Sequence, residues 1–234
     1  MGIPEICKKV KSLNSIIMKF LYSEWESFCK SLFINGIKSV TAASILRNAQ
    51  DGVHASERFI NIKHDVESSP SKALALARIE HKYGHCATYY VQAYLMTESN
   101  QPIFSEIQKM GHEVTYHHDV MDGGKGDLQR AIEIYKANLL NFRKLGFEVN
   151  TVCQHGNPAS DFENRDFFRS GIVQSLFPEQ ADIMVDFMKK IDRVYTYISD
   201  VGMSFKIVKD PVNSDKIKES ERKLLISNLK GGSL

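Results

Sequence analysis

No two cysteines in this sequence stand at C-x-x-C spacing; the four present, Cys7, Cys29, Cys86 and Cys153, are scattered over 234 residues. That pattern speaks against a disulfide framework or a thiolate zinc site and for reduced thiols. An excess of one charge is missing too. Thirty Lys and Arg stand against 28 Asp and Glu, a net charge of +2, too balanced to argue for nucleic acid or an anionic membrane surface as partner. Long apolar runs are also lacking. Near the N-terminus Ile16–Leu21 is short and broken by Lys19, so no transmembrane segment is expected. Tyr22–Trp25 is amphipathic where a signal-peptide cleavage site would need small residues, so a cytoplasmic chain is expected. Finally, no histidine follows His155.

What remains is ordinary for a globular chain, with 43% hydrophobic and 25% charged residues. At this length one substantial core is possible. Ile16–Phe33 reads as an amphipathic helix packing on the domain, with a stop near Gly36, and Thr41–Asn48 as a short helix capped by Thr41. Phe59–Ile62 reads as a buried strand running into His64, Asp65 and Glu67. Alternation along a strand puts Ile60 and Ile62 on one face and Asn61, Lys63, Asp65 and Glu67 on the other. Ser68, Ser69 and Pro70 then form a helix start with a hydroxyl cap, and the helix runs to Tyr83 before Gly84.

The pattern repeats downstream. Cys86–Gln92 is β-rich, Pro102–Met110 helical and closed by Gly111, and His112–His117 a third strand. Asp127–Leu145 is the longest helix, with Leu128, Ala131, Ile132, Tyr135, Leu139 and Phe142 at helical spacing. Val149–Cys153 is a fourth strand, Phe162–Arg169 and Ala181–Ile191 are helical, and Val194–Ser199 is a fifth strand ending at Asp200. Lys223–Ile226 suits a last short strand. Strands alternating with helices imply βαβ units and a mainly parallel sheet, in a barrel or an open form.

In a parallel sheet the C-terminal strand ends share one rim, where α/β folds place chemistry. Those ends carry Asp65 and Glu67, Gln92, His117 with His118 and Asp119, His155, and Asp200. On the third strand Val114 and Tyr116 should face the helices. Thr115, His117 and Asp119 then point to the opposite side, with His118 packed away. Carboxylates and imidazoles meeting in one pocket suit zinc or a similar divalent ion in an open site.

Four stretches, I-K-H-D-V-E (62–67), A-L-A-L-A-R-I-E (73–80), A-T-Y-Y-V (87–91) and G-H-E-V-T-Y-H (111–117), resemble the polysaccharide deacetylase family. That family is the NodB-homology, carbohydrate esterase family 4 group, and the likeness is to its branch with an H-D-V-D first motif. It runs from about Phe59 to Gly202, with Y-I-S-D (197–200) and His155-Gly156 as further pieces. The resemblance implies a distorted (β/α) barrel over 58–234, with 1–57 as an N-terminal helical segment packing on it. It also implies a divalent metal, usually zinc, and hydrolysis of N-acetyl or O-acetyl groups on a carbohydrate. By the resemblance Asp65 is the general base. The metal-binding aspartate falls on Val66, which cannot coordinate, so the role moves to Glu67 on Asp65's face. His117 matches a histidine ligand; the ligand four residues later falls on Met121, and His155 is the substitute. Tyr90, Gln92 and Asp200 are candidates for sugar hydroxyls. The family's late histidine, a general acid, has no counterpart in Leu224–Asn228, which leaves open a barrel that binds a saccharide or nucleotide sugar without turnover.

Overall fold

The computed structural model describes residues 22–50, 59–182, 197–199 and 206–208. Residues 22–34 form helix α1, which ends at Gly36 with φ of 63°. Next come β1 (Lys38–Ser39), α2 (Ala42–Gln50), β2 (Phe59–Ile60), β3 (Lys63–Val66), α3 (Pro70–Lys82) and β4 (Thr88–Gln92). After a short turn at Ala93–Leu95 follow α4 (Gln101–Lys109), β5 (Glu113–His118), α5 (Val120–Gly123), α6 (Leu128–Lys144) and β6 (Thr151–Gln154). The last described elements are α7 (Asp166–Arg169), α8 (Gly171–Leu176), β7 (Ala181–Asp182), β8 (Tyr197–Ser199) and β9 (Lys206–Val208).

Five strands make one parallel sheet in the order β3-β4-β5-β6-β7, so the fold is α/β. Among the described residues this sheet does not close into a ring. The helices start and stop where the residues allow. Asp127 caps α6 by accepting from the Arg130 N–H at 2.9 Å, and Thr41 Oγ1 accepts from the Ser44 N–H at 3.2 Å ahead of α2. Gly111 and Gly146 end α4 and α6 with φ of 91° each, a region open to glycine without steric cost.

Several expectations need correction. The strand expected over Phe59–Ile62 is split. Phe59 and Ile60 pair with β1, whereas β3 begins at Lys63 and pairs with β4. Asn61 lies at the break, and its side chain donates to the Val40 carbonyl at 2.8 Å. Ser69 makes no side-chain cap; it turns the chain with φ of 49°, in the left-handed region. Ala181–Asp182, expected to start a helix, is the buried strand β7, last in the described sheet. Among the described residues, Tyr197–Ser199 pairs antiparallel with Lys206–Val208 and not with the parallel sheet. Of Phe162–Arg169 only Asp166–Arg169 is helical. Residues 16–21, 183–191 and 194–196, with Asp200 and Lys223–Ile226, lie outside the described residues.

The sheet has two chemically different faces. Val66, Tyr89, Val91, Val114, Tyr116 and Val152 pack with Ala73, Ala77, Phe104, Tyr135 and Phe142 of the helices in the main apolar core. On the other face Tyr90 and Cys153 pack with Ala42 and Ile45. Polar motif residues knit both sides. Glu80, fully buried, accepts from Trp25 Nε1 (3.1 Å), Tyr89 Oη (2.7 Å) and His64 Nε2 (2.6 Å), tying α1, β3 and β4 to α3. Glu113 accepts from the Ala43 N–H (2.9 Å), Thr88 Oγ1 (3.0 Å) and Thr151 Oγ1 (2.5 Å), so its carboxylate sits at the start of α2.

Candidate metal centre

Period-two alternation on β3, β4, β5 and β6 brings Lys63 and Asp65, Tyr90 and Gln92, Thr115 and His117, and Cys153 to the face away from the main helix layer. Register sets their height: Asp65 stands opposite Tyr90, Gln92 opposite His117, and His117 opposite Cys153. Glu67 follows β3 by one residue and His155 follows β6 by one, so both reach over the rim. One nitrogen each from His117 and His155 and one oxygen of Glu67 lie within 4.8 Å of one another. His117 Nε2 is 3.3 Å and His155 Nδ1 2.8 Å from the same Glu67 Oε1, and the two nitrogens are 3.4 Å apart.

Protonation states follow from the partners. His117 Nδ1 lies 3.0 Å from the Cys153 carbonyl oxygen, which can only accept, so Nδ1 carries the proton. Burial lowers the pKa of His117, outweighing the pull of Asp65, which keeps the ring neutral and Nε2 bare. A bare nitrogen facing a carboxylate oxygen sets two lone pairs against each other. A cation held between them would reconcile the two. A carbonyl that accepts the far N–H of a histidine is the usual outer support of a metal ligand. The donor set of two imidazoles and a carboxylate, partly open to solvent through Glu67, therefore fits a divalent ion of the zinc type.

Asp65 stands beside this trio, with a carboxylate oxygen within 4.8 Å of a His117 nitrogen and of Cys153 Sγ. Lys63 Nζ donates to Asp65 Oδ2 at 2.7 Å. Burial raises the Asp65 pKa, but Lys63, His117 and His64 together offset that, and the carboxyl is held below its ordinary value. Glu67 is anchored through its backbone, whose carbonyl accepts from Tyr94 Oη.

Other expected residues fall differently. Tyr90, proposed from sequence as a sugar contact, is fully buried; its hydroxyl meets Thr151 Oγ1 at 3.3 Å, and no surface is left for a ligand. Burial raises its pKa well above the ordinary value. Gln92 is buried on the same face as His117. Asp200 lies outside the described residues. Val66 is core, and Met121 packs partly buried against that core. His118 points into the helix layer, fully buried, with Nε2 donating to Asp182 Oδ2 at 3.0 Å.

Sequence reading missed Lys63, Cys153, Asp122 and Asn164. Lys63 was legible, since it shares Asp65's face at i−2. Cys153 was hidden by the assumption that no thiol stands near the site. Asp122 accepts from Asn157 Nδ2 (3.1 Å), Asn164 Nδ2 (3.0 Å) and Ser160 Oγ. These loop contacts have no sequence signature.

Fold and site together define an α/β protein with candidate metal ligands gathered at the C-terminal rim of a parallel sheet. No protein-family model and no curated protein matches the sequence. Among solved structures the chain is similar to one described as Streptococcus pyogenes deacetylase PplD in complex with acetate. The identity is 13%, the match covers 58% of this chain and 65% of that one, under two thirds of its length, and the TM-score is 0.47. A likeness that distant bears on neither chemistry nor substrate. Among the described residues no helix is long and apolar enough to cross a membrane.

Proposed function

We propose that this chain is a metal-dependent hydrolase that removes an acetyl group from an acetylated carbohydrate. The observation that carries the reading is the meeting of Glu67 Oε1, His117 Nε2 and His155 Nδ1 within 4.8 Å, with Asp65 alongside. A zinc-type ion held by Glu67, His117 and His155 would supply Lewis acidity, making water a better nucleophile and an acyl carbonyl a better electrophile. Asp65, ionised beside Lys63, takes the proton of the attacking water. Lys63 keeps that carboxylate charged and aimed. Cys153 holds His117 in the tautomer that leaves Nε2 free for coordination. Gln92, opposite His117 in register, is the candidate we retain for a sugar hydroxyl.

Carbohydrate as substrate and the distorted barrel both come from the motif resemblance over 62–117. A second reading, saccharide binding without turnover, draws on Met121, a thioether at the position where the resemblance puts a second histidine ligand.

Acetate release from N-acetylated and O-acetylated sugars, with added zinc and with chelator, tests the reading. Zinc-dependent release is expected. Replacement His117→Ala should remove bound metal by elemental analysis, and full retention of metal would sink the ligand assignment. Zinc binding with no acetate release from any sugar would favour the second reading.

A further inference from the structure

We infer that Asn164 is a positioning residue, whose side-chain amide fastens the loop after β6 to the short helix α5 after β5 and so aims His155 at Glu67 and His117. The inference rests on the metal-centre reading above. Asn164 is 2% exposed and uses every hydrogen bond an amide side chain can make. Its Oδ1 accepts from the Met121 N–H at 2.9 Å and the Asp122 N–H at 3.2 Å. Its Nδ2 donates to the His155 carbonyl and to Asp122 Oδ2, each at 3.0 Å.

The consequence falls on His155. Its N–H donates to the His118 carbonyl at 2.7 Å, at the end of β5, and its C=O is taken by Asn164. Both backbone polar groups are thus held, and they fix the direction in which the imidazole leaves the chain. Gly156, Asn157, Pro158 and Ala159, which follow, are exposed. Asp122 draws that exposed segment in through Asn157 and Ser160. Without Asn164 a single backbone bond would orient His155, at the end of a strand with a glycine after it. His117, by contrast, sits inside β5 and needs no such clamp.

The test measures zinc dissociation constants by chelator competition on the full chain, with thermal unfolding in parallel. Asn164→Ala and Asn164→Asp are compared with His155→Ala and with Asn141→Ala, which loses an amide bond to the Met96 carbonyl (2.8 Å) elsewhere in the fold. In Asn164→Asp a carboxylate oxygen would face Asp122 and the His155 carbonyl, so this variant should fail as Asn164→Ala does. Both are expected to weaken zinc binding about 10–100-fold, as loss of an outer support does. Asn141→Ala should change it less than about twofold, by the same comparison. The visible bands of the cobalt-loaded protein should shift in the Asn164 variants only. If Asn164→Ala does not fold, Asn164→Ser, too short to reach His155, replaces it. Wild-type zinc affinity in the Asn164 variants, with affinity lost in His155→Ala, overturns this inference and leaves the metal centre standing. A wild-type chain that binds no zinc, or a His155→Ala variant that binds it unchanged, overturns both.

Discussion

His117 donates its Nδ1–H to the Cys153 carbonyl at 3.0 Å, and this bond leaves Nε2 bare, 3.3 Å from Glu67 Oε1. A strand-to-strand contact at the core of the sheet thereby decides the chemistry at its rim. Neither residue could do so alone. β5 and β6 must be in the register that sets His117 opposite Cys153.

Ligand binding to the folded state alone stabilises it by mass action. With free zinc at 100 times its dissociation constant the gain is about 2.7 kcal/mol. For a chain of this size that raises the melting temperature by roughly 5–11 °C. Differential scanning fluorimetry should show this rise for the wild type and none for Glu67→Ala, His117→Ala or His155→Ala.

Glu80→Ala should cost about 3 kcal/mol or more, because Trp25 Nε1, Tyr89 Oη and His64 would lose a shared buried acceptor. Trp25 is the sole tryptophan, so its emission reports directly on this cluster. Urea unfolding followed by that emission would show a lower midpoint in the variant. An unchanged midpoint would mean that the carboxylate contributes nothing.

Tyr90→Phe removes one buried hydrogen bond of 3.3 Å to Thr151 and nothing that a ligand could reach. It should cost about 1 kcal/mol or less while leaving kcat/KM for deacetylation within about twofold, a difference of under 0.5 kcal/mol. A large rise in KM would restore Tyr90 as a substrate contact.

Acid should weaken the fold in two stages. Buried His117 has its pKa below 6.5, so in the interval between that lowered value and 6.5 the unfolded chain binds more protons than the folded one. Stability there falls as pH falls. Asp65 is also depressed, from 3.8, and its contribution is full above that value and lost as pH drops through its folded pKa. Chemical denaturation from pH 7 to pH 3 should show both declines, and His117→Gln should reduce the first without abolishing it, because burial lowers the pKa of His112 as well.

Much of the sheet could be read from residues. The β-rich run Thr88–Gln92 and the alternation in Glu113–His118, with Gly84, Gly111 and Gly146 closing the intervening helices, mark β4, β5 and their neighbours to within a residue or two. Glu67, His117 and His155 could be brought to one rim because parallel strands share a direction, and they lie together in the structure. The failures have physical causes. Ala181–Asp182 is two buried residues whose strand character comes from pairing with Thr151 and Val152, not from any local period. Tyr90 follows the same alternation as Gln92, but α2 covers it through Ala42 and Ile45, and a helix landing on a sheet face is invisible in the strand itself. Asn164 meets Met121 and Asp122 from more than 40 residues away, in a stretch with no motif.

The most direct measurement is an anomalous difference map from a zinc-loaded crystal. A single peak touching Glu67, His117 and His155, with Asp65 beside it and not bound, is the expected result. A peak held by Asp65, His117 and Cys153 instead, or no peak at this rim, would contradict the account.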